Sequence, residues 1–351
     1  LGMKSVFHFC EAFFWLAKDG NLKKEKILNP WSGSKEYPSP QSVWDDFSSS
    51  SPDVQLIHDH LQTVQKSFSK KYASYFLLWL PLRQKRQLNI GGEEVGSIIS
   101  EFPGDDRKQI DFLFQPGLAK KLSTLLPLLR HLTRIQFWRP DKTQALQLQY
   151  TIQMKEGSQR NTYPDTKNTS PLSGILTYNS NSVDSKRHTL NFAGYEGRVP
   201  EVKLKKLRES DYWPKSYVRD ELGRERPEPD KAKGHCAVTF SRSSKKTNGR
   251  LDIQWAVFLP VDTGREKISC ESEYAYGLTL HGFFFIDAGR SAIEGLDINE
   301  SDVSFPPQSE NDLRIAWNYF LVTRGTFIFL IPALERFIHQ SKIGVDEVKN
   351  L

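Results

Sequence analysis

Apolar residues in this chain come in short runs, and this limits what it can fold into. The longest runs, over residues 76–82 and 326–333, fall far below the ~20 residues a bilayer span requires. No membrane contact is expected, and the fold must be assembled from short strands and modest helices. Turn-forming Gly, Pro, Asn and Ser residues separate the runs. Val6, Phe9, Cys10 and Phe13 recur at helical spacing, which predicts a short helix over 2–10. The run at 12–17, the turn phrase Lys18-Asp19-Gly20-Asn21 and the stretch 23–28 predict a β-hairpin. Residues 29–51 read as a loop packed by Trp31 and Trp44, and Ser51-Pro52-Asp53 opens a helix over 54–69. A buried strand over 75–83 follows. Next come a helix over 118–132, with Leu122, Leu125, Leu126 and Leu129 on one face, and a strand over 134–139.

With 351 residues and roughly 100–200 residues per domain, two domains are expected. The texture changes at Pro140-Asp141-Lys142, which divides the chain into 1–140 and 141–351. Beyond that point strands are predicted over 144–155, 175–178 and 186–193, then a charged segment of both signs over 202–233. Two strands, 235–241 and 250–260, read as partners joined by a polar hairpin loop over 242–249. An apolar strand at 278–286 and one or two helices within 311–339 complete an α+β pattern.

A net charge of +6, from 48 basic and 42 acidic side chains, permits a nucleic-acid partner without calling for one. Cys10, Cys236 and Cys270 are scattered and odd in number. They form neither a disulfide framework nor a zinc spacing, which suits a reducing cytoplasm. Leu1 leads directly into structured-looking sequence, so a piece of a longer chain is expected.

The opening phrase, Leu1-Gly2-Met3-Lys4-Ser5-Val6-Phe7-His8-Phe9, resembles the third nucleotide motif of the GHKL ATPases, and most closely their sacsin-like branch. A glycine there lets backbone approach phosphate, and the following helix start offers unpaired N–H groups to an anion. Further phrases occur in the family's order: Ile27-Leu28-Asn29-Pro30, the loop from Gly33 to Pro40, and Leu80-Pro81-Leu82-Arg83. The leucine helix and strand of 122–137, Phe258-Leu259-Pro260, the phrase from Leu280 to Arg290, and Trp317-Asn318 follow. In the family the Trp-Asn pair opens a helix.

The resemblance implies the C-terminal portion of a GHKL α/β sandwich ATPase domain, followed by an α/β middle (transducer) domain. It implies ATP at Gly2, Met3, Lys4 and Ser5, and Mg2+ whose ligands are expected upstream. It also implies a basic middle-domain residue, here Arg290, that reaches the γ-phosphate and steadies transition-state charge. The activity implied is an ATP-dependent conformational switch, chaperone-like or of the anti-phage defence type, acting on a protein partner or client and possible as a homodimer. Three departures stand against this. The motif's first glycine would precede residue 1. Tyr75-Phe76 stands where a Gly-Thr pair is usual. The glutamate-and-asparagine helix and the family's Asp-x-Gly adenine motif are expected upstream of residue 1, so the chain by itself is not expected to hydrolyse ATP. Two other readings stay open: a non-catalytic interaction scaffold on a degenerate ATPase fold, and a DNA-handling ATPase of the MutL or MORC kind.

Other chemistry-bearing residues have plainer readings. His281 and Asp287 suggest an acid–base pair, but Phe283–Phe285 beside them favour a strand histidine. His235 and Cys236 lack a second pair at metal-ligand spacing. Arg242-Ser243-Ser244-Lys245-Lys246 and Lys203-Leu204-Lys205-Lys206-Leu207-Arg208 are basic patches that a nucleic acid or acidic partner could use. A solvated turn is the favoured reading of the first, and the acidic neighbours from Glu209 onwards favour a plain solvated helix for the second.

Overall fold

The strands that alternate least in sequence hold the centre of the largest sheet. In the computed structural model, residues 13–28, 52–67, 74–80, 88–90, 93–95, 116–129, 131–141, 143–159, 169–180, 187–199, 202–215, 230–246, 248–257, 259–261, 266–287, 292–344 and 347 are described. The fold is mixed α+β. The chain separates by internal packing into two compact units. One comprises Leu1–Leu113 with Trp138–Gln147, and the other Phe114–Phe137 with Leu148–Leu351. Pro140 ends a strand and Asp141 begins the turn after it, and both belong with the first unit. There the Asp141 carboxylate accepts from the backbone N–H groups of Thr143 (2.7 Å) and Ala145 (3.1 Å).

In the first unit, β1 (Phe13–Asp19) and β2 (Leu22–Leu28) form the expected hairpin, closed at Asp19↔Leu22 with Gly20 at a φ of 56°. β3 (Ser74–Trp79) pairs with the other edge of β1, giving the order β2-β1-β3. Helix α1 (Pro52–Ser67) packs Ile57 and Leu61 on Phe14 and Leu16, with Tyr75, Leu77 and Trp79 alongside. The strand expected to be buried at 75–83 is instead half exposed. Phe76 and Leu78 point away from α1 and are 49% and 42% accessible, because among the described residues a helix covers one face of this sheet only. A small antiparallel ribbon, β4 (Leu88–Ile90) and β5 (Glu93–Val95), completes the described part.

The second unit is built on a long sheet. The strands of that sheet are β6 (Arg134–Pro140) and β7 (Leu146–Met154), whose residues 138–140 and 146–147 belong to the first unit, then β8 (Ser170–Ser180), β9 (Arg187–Arg198), β10 (His235–Ser243), β11 (Arg250–Val257), β12 (Leu259–Pro260), β13 (Glu266–Ser269) and β14 (Ala275–Gly282). Their order is β12-β11-β14-β10-β9-β8-β7-β6, with β13 on β11. β10 is buried along nearly its whole length, as expected for a strand covered on both faces.

One face carries Cys236, Val238, Phe240, Leu278 and Leu280 against helices α3 (Val202–Arg208), α4 (Glu310–Leu321) and α5 (Phe327–Ser341). The other carries Leu172, Leu176, Leu190, Phe192 and Ala237 against α2 (Pro116–Leu125). α2 is also pinned to this face by Lys120 Nζ on Asp252 (3.0 Å) and by Gln254 Nε2 donating to Thr124 Oγ1 (2.6 Å).

Two expectations are corrected here. The helix expected over 118–132 stops at Leu125 and gives way to a tight turn at Leu126–Leu128, because Pro127 cannot continue the α-helical ladder. β10 and β11 are not hairpin partners. β14 lies between them, antiparallel to β10 and parallel to β11. β14 is buried towards its end on both faces, so it takes the interior place; β11, with its partly exposed Arg250 and Asp252, lies nearer the edge.

α4 and α5 are joined by a π-helical turn at Val322–Thr326. A Cβ on Gly325 would stand 2.5 Å from Val199 Cγ2 and 2.8 Å from Cys236 Sγ, so the turn sits this close to the sheet only with glycine there.

Candidate functional site

The residues expected to touch nucleotide, Gly2, Met3, Lys4 and Ser5, lie outside the described residues, and so does Arg290. The flanks of Arg290 are described, and they are built with unusual care for a connecting segment. After β14, Phe285–Asp287 and Ala292–Glu294 run antiparallel, bridged at Ile286↔Ile293. Backbone bonds run from Asp287 N to Ala292 O (3.1 Å) and from Glu294 N to Phe285 O (3.2 Å). The Asp287 carboxylate accepts from Ala292 N at 2.9 Å, so it caps this segment. His281 is buried, with Nδ1 3.0 Å from Ala256 O, as befits a strand histidine.

Trp317 and Asn318 hold the base of the two flanks. They do not open a helix. α4 starts eight residues earlier than Asn318, at Glu310, where the Ser309 hydroxyl accepts from Asp312 N at 3.1 Å. Mid-helix, Asn318 is 1% accessible. Its Oδ1 accepts from Phe285 N (2.7 Å), and its Nδ2 donates to Phe285 O (2.7 Å) and Glu294 O (2.8 Å). One amide thereby ties both flanks to one helix. Trp317 Nε1 donates to Phe283 O at 3.1 Å, just ahead of them. Arg314, one turn earlier on α4, reaches Glu294 at 3.2 Å and lies 5.6 Å over the Phe285 ring. This is the architecture of a segment whose position matters: rigid helix, fully bonded amide, paired flanks.

A second polar cluster lies on the α2 side of the sheet. The register places Glu196, Ala237, His281 and Ala256 in one row, with His235 two residues from Ala237 on the same face. His235 Nε2 is 3.3 Å from Glu196 Oε2, and both side chains are nearly inaccessible. Nδ1 of His235 has no partner among the described residues. A histidine oriented by a carboxylate is two-thirds of a nucleophile–base–orienter set, but the adjacent thiol is no nucleophile. Cys236 points to the opposite face, donates to Leu321 O (3.4 Å), and burial pushes its pKa up to about 12. Among the described residues no three His, Cys, Asp or Glu side chains are grouped to hold a metal.

Neither basic patch is a free patch of charge. Arg242 donates to both Glu347 oxygens (2.8 and 3.1 Å) and to Ser341 O (3.3 Å), and it lies 4.8 Å over the Tyr274 ring. Lys246 is ion-paired with Glu273. In α3, Leu204 and Leu207 are core residues, and Lys203 rests 4.8 Å over the Phe320 ring. No described helix is long and apolar enough to cross a membrane.

Sequence reasoning had no means to single out Glu196, whose partner lies some forty residues along the chain. It singled out Asn318 for a different role. No protein-family model, curated protein or solved structure matches this chain.

Proposed function

We propose that this chain belongs to an ATP-dependent conformational switch of the sacsin-like GHKL class. Gly2–Ser5 would serve the nucleotide, and Arg290 would act as the basic residue that meets its terminal phosphate. The observation that carries this reading is the Asn318 clamp: its three hydrogen bonds fix both flanks of the Arg290 segment to α4. A guanidinium stabilises phosphate charge effectively only when it is positioned in advance, and a clamp of this kind supports that role. Bound ATP with Mg2+ would supply the phosphoryl chemistry. This chain's own part would be to read nucleotide state through differential affinity for two arrangements and to pass it to a protein partner in the cytoplasm. An antiviral or chaperone-like output is in keeping with the resemblance.

Tyr75-Phe76, in place of the Gly-Thr pair, favours the second reading, an interaction scaffold without turnover. Binding and hydrolysis of labelled ATP by the whole protein decide between them. The switch requires binding that Lys4→Ala abolishes and turnover that Arg290→Ala lowers. Absence of ATP binding leaves the scaffold. Turnover unchanged in Arg290→Ala removes Arg290 from the chemistry.

A further inference from the structure

The inner side of α5 is conventional: Ala333 and Phe337 are fully buried, and Phe337 lies 5.7 Å from Phe240. Its outer side is not. Phe327, Ile328 and Ile331 are 51%, 55% and 59% accessible, a cluster of large apolar side chains on one helix with Pro332 exposed beside them. Arg324, in the π turn, and Glu335 are exposed at the two ends of this ridge, and among the described residues neither has a salt-bridge or hydrogen-bond partner. At 100° per residue, Ile328, Ile331 and Glu335 fall within a sector of about 60°, so charge and apolar side chains share one stripe. Isolated exposed apolar residues need no explanation, but a contiguous ridge marks a contact surface.

The spacing is self-complementary. Ile328 and Ile331 are centred between Phe329 and Leu330; so are Phe327 and Pro332, and so are Arg324 and Glu335. A two-fold axis through that one point, perpendicular to the helix, would set two copies of α5 antiparallel. Ile328 would meet the partner's Ile331, Phe327 the partner's Pro332, and Arg324 the partner's Glu335, each twice over. An isologous contact requires that every residue find its complement on the same surface, and these three pairs meet that requirement with opposite charges at the rims.

We propose that the α5 ridge is a homodimer interface of this chain, with the apolar centre supplying affinity and the Arg324–Glu335 pairs fixing register and direction. This proposal is independent of the nucleotide reading. A ridge of this size buries less than the ~1,200–2,000 Å² of a standard stable interface, so the dimer is expected to dissociate on dilution.

Sedimentation velocity of the 351-residue chain over a concentration series tests it, with circular dichroism to confirm that each variant is folded. The wild type should move from monomer to dimer as concentration rises. Ile331→Asp, a change at an exposed position, should remain monomeric throughout. Arg324→Glu and Glu335→Arg alone should each weaken dimerisation about tenfold, because each rim pair occurs twice and becomes repulsive. The double reversal should restore it. A wild type that is monomeric at every concentration overturns the proposal. So does a dimer indifferent to Ile331→Asp, a double reversal no better than the single ones, or Ile331-dependent binding of the monomer to lipid vesicles.

Discussion

The two faces of the long sheet are both covered, but by different chemistry. On the α4–α5 face the core is aromatic and aliphatic: Trp317, Phe337, Phe240 and Leu321 interlock, and Trp213 lies 4.9 Å from the Trp317 ring. On the α2 face the β7–β9 end is equally apolar, but the β9–β14 end buries Glu196, His235, His281, Thr239 and Thr279. An apolar face tolerates small shifts, because dispersion and area are non-directional. A polar face does not, because each buried group requires a partner at a defined distance. The first face therefore sets how stable the unit is, and the second how uniquely it is arranged.

The contrast can be tested. Trp317→Ala should cost most, about 3–5 kcal/mol for a buried indole, and lower the denaturant midpoint of unfolding strongly. A loss under ~1 kcal/mol would mean that the aromatic face is not the main source of stability. Asn318→Ala comes next, at about 2–4 kcal/mol, because it leaves the Phe285 N–H and Glu294 carbonyl without their side-chain partner. Its more telling signature is faster amide exchange confined to 283–295; exchange unchanged there would show that the flanks hold without the clamp. Glu196→Gln should cost least, about 1–3 kcal/mol, since the amide keeps the shape and a hydrogen-bonding oxygen but loses the charge beside His235. The His235 ring resonances should shift in proton NMR even where stability barely moves. Unchanged resonances would separate the two side chains in solution.

Local structure was largely legible in the sequence. Lys18-Asp19-Gly20-Asn21 specifies its hairpin through turn chemistry alone, and β6 to β9 follow their alternation, although β8 extends well beyond 175–178. Long-range pairing was not legible. Nothing in residues 235–260 says that β14 will separate β10 from β11, because that choice depends on the burial of a strand not yet reached. Asn318 was misread for a related reason. The family resemblance gives Trp-Asn as a helix start, whereas here the distant backbone of Phe285 and Glu294 makes Asn318 a mid-helix clamp. The site expected from Gly2–Ser5 and Arg290 lies in residues outside the described ones, and only the flanks of Arg290 are in view.

The insertion of β14 also has a consequence for how the protein comes into being. On the ribosome, β10 and β11 emerge before the strand that belongs between them, so each presents an open edge until residues 275–282 arrive. Open edges invite pairing with other chains, and contacts distant in sequence form slowly. The interval between synthesis of Val257 and of Gly282 is therefore the vulnerable moment in this chain's folding. A ribosome stalled there should yield a nascent chain prone to aggregate.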